Sequence, residues 1–185
     1  WWISKVSWCS RWWTGTAHAG KSGGTSSVKG AWLNGRYYLP DPGSAKAIHA
    51  KTIQYSGGGT TEPLDTGKLE SVLAHIQNDD YYPTFIDKLT HLFFCTCEFH
   101  CFADGNKRLA ITLSAQFLLF NGYMSVAKNF FAITENISYH VASGKINKDL
   151  LHEIMTAIMD GTYENDEELK LKILNAIQLT DSCTQ

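Results

Sequence analysis

The chain lacks the features that mark a nucleic-acid binder or a membrane protein. Acidic and basic residues nearly cancel, 18 against 16, for a formal charge of -2, so the basic excess needed to neutralise a phosphate backbone is missing. No apolar run reaches the roughly 18 residues of a spanning helix. The strongest candidate, Leu109 to Phe120, is interrupted by Thr112, Ser114 and Gln116. No direct nucleic acid contact and no membrane are therefore expected. An even, dispersed set of cysteines is also missing: five are present, and three crowd together at Cys95, Cys97 and Cys101. That pattern argues against a secreted disulfide framework and for a reducing, cytoplasmic setting. The first residue is not methionine, and no basic region leads into a continuous apolar stretch. A processed, truncated or engineered start is expected there rather than a signal peptide.

What is present is enough for one domain. At 185 residues, 44% of them hydrophobic, the chain can bury a real core but is short for two domains of ordinary size. All six tryptophans lie between residues 1 and 32, around a Gly/Ser/Thr stretch from Gly15 to Gly30. Residues 1-40 read as an N-terminal Trp/Gly/Ser-rich extension, part linker or tag, with residues 41-185 as the main domain. Asn34-Gly35, between Ala31-Trp32-Leu33 and Tyr37-Tyr38-Leu39, is a type I′ turn signal and predicts a short β-hairpin. Pro40 and Pro42 are read as closing that segment.

From there the pattern is helix after helix, so the fold class expected is mostly α. Ala45 to Tyr55 carries Ala45, Ile48 and Ile53 and stops at Gly57-Gly58-Gly59. Lys68 to Gln77 places Leu69, Val72, Leu73 and Ile76 at the spacing of one buried face. A helix is expected to begin at Tyr82-Pro83 and run to about Phe99, with Ile86, Leu89, Phe93, Phe94 and Cys97 inward. Lys107 to Phe120 is apolar nearly all round, as a central helix should be. Phe130 to Ala142, Lys148 to Met159 and Asp166 to Leu179 complete the set.

Between the two most apolar helices stands His100-Cys101-Phe102-Ala103-Asp104-Gly105-Asn106-Lys107-Arg108. A helix start gathers unpaired N–H groups and the positive end of the macrodipole, which suits a phosphate; Lys107 and Arg108 add cationic charge. A carboxylate beside a polyphosphate commonly shares Mg²⁺, and Asp104 is the candidate metal ligand, with N-capping as its plainer role. His100 is the candidate general base, since an imidazole can accept the proton of an incoming hydroxyl. These are the catalytic candidates: His100, Asp104 and Arg108.

The stretch resembles the Fic/Doc signature H-x-F-x-D-G-N-K-R at all seven specified residues, in the lysine version similar to death-on-curing toxins. Leu69-Glu70-Ser71-Val72-Leu73-Ala74 resembles the family's L-E-S-A-L-A helix, Tyr82-Pro83 its Y-P helix start, and Phe117 to Tyr123 its F-L-x-x-N-G-Y helix end. The likeness covers about residues 44 to 160. It implies a Fic/Doc-type helical bundle that uses ATP or another nucleoside triphosphate with Mg²⁺ to modify a serine, threonine or tyrosine hydroxyl of a protein. It further implies His100 as general base, Phe102 as the anchor of the loop, Asp104 as Mg²⁺ ligand, and Gly105, Asn106, Lys107 and Arg108 as the nucleotide cradle. Lys107 stands where adenylylating members carry glycine and accompanies γ-phosphate transfer in Doc-like members, which favours phosphorylation. Gly105 agrees instead with the adenylylating members, so AMPylation is the alternative. The stretch from Gly57 to Thr66 corresponds to the flap that holds the target segment. The inhibitory S/T-x-x-x-E-G/N motif is not found in the chain, so restraint by a separate antitoxin, with a translation factor as target, is what the Doc resemblance implies. A binding module that keeps the fold without catalysis is the rival from another class.

Two other patterns are given plain readings. Gly15 to Ser22 satisfies G-x-x-x-x-G-K-S, but Gly23-Gly24-Thr25-Ser26-Ser27 is a poor helix start, so a linker is expected rather than a P-loop. Cys95, Cys97 and Cys101 with His91 and His100 match no common zinc spacing, and three small, reduced, buried side chains are expected.

Overall fold

The computed structural model describes residues 31–34, 36–56 and 59–181. The tryptophans before Trp32, the Gly15 to Ser22 stretch and Gly35, Gly57 and Gly58 lie outside the described residues. Within them the fold is mostly α, with seven helices and a two-stranded sheet. Strands β1 (Ala31–Asn34) and β2 (Tyr37–Pro40) pair antiparallel, Asn34 opposite Tyr37 and Ala31 opposite Pro40. Asn34, expected as the first residue of the turn, is instead the last paired residue of β1.

Strand β2 is tied to the helices. Asn121, just past the central helix, accepts from the Tyr38 N–H at 2.9 Å and donates to the Tyr38 carbonyl at 2.8 Å, while Leu39 is fully buried. Pro42 does not end a segment but opens helix α1 (Pro42–Tyr55): Asp41 is the N-cap, accepting from Ser44 N–H, with proline in the first turn where its missing N–H costs nothing. Helix α2 (Thr66–His75) is capped by Asp65. Helix α3 (Phe85–Glu98) starts a little later than Tyr82-Pro83 predicts, because Thr84 and Asp87 form a reciprocal capping box. Helices α4 (Asn106–Phe120), α5 (Met124–Ala142), α6 (Lys148–Asp160) and α7 (Glu167–Asp181) follow. Helix α5 begins six residues before the expected Phe130, since Gly122 at φ 87° turns the chain within one step and Tyr123 N–H bonds back to Leu118.

Two helices share the centre. Helix α4 packs against α1, α3, α5 and β2, and α3 packs against α2, α4, α5 and α6. Leu109, Leu113 and Phe117 of α4 and Leu89, Leu92 and Phe93 of α3 are wholly buried, each worth about 1.5–3 kcal/mol relative to exposure. Because α3 is enclosed on more than one side, Cys95 and Cys97, which face different directions, are both buried. Its Lys88 is also fully buried and is satisfied locally, with Nζ 2.5 Å from the Ile76 carbonyl at the end of α2 and 2.7 Å from Asp79. The result for function is that the α3–α4 connection joins the two helices at the centre of the packing.

Candidate active site

The connection begins with a backbone outlier. His100 adopts φ 45°, the one positive φ outside glycine among the described residues, a conformation costing roughly 1–2 kcal/mol for a residue with a Cβ. It turns the chain out of α3 and leaves His100 exposed. Residues 101–103 then run extended beside 62–65. Pro63 and Phe102 form an antiparallel bridge, Ala103 N–H donates to the Glu62 carbonyl, and Leu64 and Asp65 N–H both donate to the Cys101 carbonyl, each at 3.1 Å. This pairing fixes the position of the residue after His100.

Phe102 sits in the core at 4% exposure. The Asn106 side chain grips its backbone twice: the amide oxygen accepts from Phe102 N–H at 3.0 Å and the amide nitrogen donates to the Phe102 carbonyl at 2.7 Å. The Asn106 side chain thus holds the loop, while its backbone N–H lies in the uncapped first turn of α4.

Asp104 is not the N-cap of α4. That position belongs to Gly105 at φ 83°, and no side chain caps the helix, so the N–H groups of its first turn have no partner within the helix. The Asp104 carboxylate instead accepts from Gly105 N–H at 2.6 Å through Oδ1 and from Arg108 Nη2 at 2.9 Å through Oδ2. The second guanidinium arm of Arg108 donates to Ser56 Oγ at the end of α1. Gly59 lies close above: a Cβ there would stand 2.3 Å from Asp104 Oδ2. Lys107 diverges from this group. It is exposed and its Nζ sits 5.0 Å over the Tyr139 ring of α5.

Asp104, Gly105, the Asn106 backbone and Arg108 are thus brought together at an uncapped helix start, with His100 at the loop's other end. Gly59 belongs to the Gly57 to Thr66 stretch expected as the flap, whereas Ser56 and His49 are neighbours that the sequence did not single out. Of these two, only His49 left a signal: it shares the stripe of Ala45, Ile48 and Ile53 at helical spacing. It is 1% exposed, its Nε2 is 2.7 Å from the Asp104 carbonyl oxygen, and burial pushes its pKa below the ordinary value.

Cys95, Cys97 and Cys101 are free thiols and all buried. Burial pushes the Cys95 thiol up to about 11 and raises Cys97 further still, which makes them poor nucleophiles. No described helix is long and apolar enough to cross a membrane.

Residues 40–118, from the end of β2 through most of α4, match the model of the Fic/DOC family. Comparison with curated proteins and with solved structures gave no match.

Proposed function

From the match of residues 40–118 to the Fic/DOC family we propose that the chain is a nucleotide-dependent transferase of that family, one that phosphorylates a serine, threonine or tyrosine hydroxyl of a target protein. The observation that carries this reading is the convergence of the Asp104 carboxylate and the Arg108 guanidinium on the uncapped start of α4.

These residues fit a magnesium-bound triphosphate. An uncapped helix start behind a left-handed glycine offers phosphate oxygens backbone N–H groups that no side chain satisfies, and Asp104, its side chain about half exposed beside it, is a hard oxygen ligand of the kind Mg²⁺ takes. Asp104 would hold the metal, the N–H groups of Asn106, Lys107 and Arg108 would hold phosphate oxygens, and the forked Arg108 would stabilise charge on them. When bound, the nucleotide supplies the group that is transferred. His100 would accept the proton of the incoming hydroxyl, and its exposure leaves it reachable by a protein substrate. Segment 62–65, paired with residues 101–103, would hold the target beside that base.

The lysine at 107 supports γ-phosphate transfer by its resemblance to Doc-like members. Gly105 supports AMP transfer as the second reading, since the adenylylating signature that the loop resembles carries the same glycine. The buried free thiols are consistent with the cytoplasmic site of action we assign, with a translation factor as target and a separate antitoxin as restraint.

The test is incubation of the protein and its His100→Ala variant with cell lysate and ATP labelled at the γ- or the α-phosphate. Histidine-dependent label from γ alone is the expected result. Label from α would establish AMP transfer instead, and no histidine-dependent label from either would overturn the enzyme reading.

A further inference from the structure

Helix α1 puts one polar ring into an otherwise apolar contact. Ala45, Ile48 and Ile53 are buried, and between them His49 is 1% exposed. A buried imidazole is costly unless its polar atoms are paired. The Nε2 pairs with the Asp104 carbonyl oxygen at 2.7 Å. A carbonyl only accepts, so Nε2 carries the hydrogen and donates it. The same ring stacks on Phe102, centroids 3.7 Å apart and planes 15° from parallel. A Cβ on Gly105 would come within 3.1 Å of Nε2. One side chain, some fifty residues upstream, therefore meets three residues of the α3–α4 loop.

The Asp104–Gly105 peptide makes that contact directional. Its carbonyl and N–H lie in one plane and point opposite ways. With the carbonyl held by His49, the Gly105 N–H is turned to the other side, where it donates to Asp104 Oδ1 at 2.6 Å. Rotating this peptide would release the carboxylate and re-aim the start of α4 together.

We propose that His49 is a positioning residue of the nucleotide site: its Nε2–H bond to Asp104 locks the Asp104–Gly105 peptide, and so aims the Asp104 carboxylate and the first N–H groups of α4 at a metal-bound triphosphate. The role rests on the transferase reading above. It requires the donor, not only the ring.

Two substitutions separate those properties. His49→Phe keeps a ring to stack on Phe102 and removes the donor; His49→Gln loses the ring and keeps an N–H at similar reach. Binding of a non-hydrolysable ATP analogue with Mg²⁺ is measured by calorimetry, and Gly105 amide exchange is measured in the ligand-free protein. His49→Phe is expected to weaken binding at least about tenfold and to speed Gly105 exchange by a similar factor, since a buried bond is lost. His49→Gln is expected to recover most of both. Equal impairment in the two variants, or wild-type values in His49→Phe, would overturn the donor role. Wild-type protein that binds no Mg²⁺-nucleotide would overturn the transferase reading and this role with it, whereas wild-type binding left unchanged by His49→Phe removes the role alone. A folding failure of His49→Phe is covered by histidine ¹⁵N spectra of the wild type. They must show the Nε2–H tautomer at His49 with slow proton exchange, and the Nδ1–H tautomer there would refute the proposal.

Discussion

Asn106 holds the backbone of Phe102 from both sides, accepting its N–H at 3.0 Å and donating to its carbonyl at 2.7 Å. The pair closes a ring across the turn into α4, so the loop's shape is set by a side chain that points back toward the core. Asn106→Ala leaves two buried backbone groups unpaired and is expected to cost about 1–3 kcal/mol. Asn106→Asp keeps an acceptor for the N–H but sets a carboxylate against the carbonyl, and should cost more at neutral pH than at acid pH. Urea unfolding of the three proteins at two pH values checks the order.

Gly105 and Gly144 both have positive φ, 83° and 72°, yet their surroundings differ. A Cβ on Gly144 meets nothing within 4 Å, whereas one on Gly105 meets Ile53 Cδ1 at 2.6 Å. Gly144→Ala should therefore cost only the left-handed strain, about 1–2 kcal/mol, and spare nucleotide binding. Gly105→Ala should cost more and abolish nucleotide binding, because Ile53 and His49 must move with it. Thermal unfolding and calorimetry on both variants decide this.

Arg108 spans two partners, Asp104 and Ser56 Oγ, which needs a planar fork. Arg108→Lys keeps the charge but can reach only one of them. Mg²⁺-dependent nucleotide affinity is expected to fall about tenfold or more in Arg108→Lys. Affinity equal to wild type would show that charge alone suffices.

His91 of α3 is 6% exposed and lies against Cys95, Lys148 and Tyr82, with His75 beyond. Burial first, then the charges of Lys148 and His75, push its pKa from 6.5 down to about 4. The unfolded chain thus binds a proton in a range where the native ring does not. The contribution is absent above about pH 6.5, and native stability falls as pH drops toward about 4, by up to about 1.4 kcal/mol per pH unit. In His91→Leu the urea midpoint should change less between pH 7 and pH 4.5 than in the wild type.

Much of this molecule could be read without its structure. Helix spans followed from apolar spacing, because the periodicity of a helix is local: Leu69, Val72 and Leu73 in α2 and, Thr112 apart, Leu109 to Leu118 in α4 are buried as their pattern requires. Errors gathered at ends, as at Thr84 and Met124, where a capping pair or a single glycine turn decides the start. Burial of α3 on several sides was less legible, since Lys88 and Thr90 interrupt its apolar pattern and are buried nonetheless.

The sequence by itself determined the chemistry offered at residues 100–108, because those groups are contiguous and the helix start that follows them is set by local propensity. Only the tertiary structure decided how they are held. Its packing of α1 on α4 brings His49 to Asp104 and Ser56 to Arg108, and its path for residues 59–65 lays Gly59 on Asp104 and Pro63 beside Phe102. Those contacts join positions some forty to fifty-five residues apart. No local pattern encodes them, since the distance between two helix faces depends on the volumes of every side chain packed between them. The same packing carries the Lys107 ammonium over Tyr139, away from the carboxylate that its neighbour Arg108 holds.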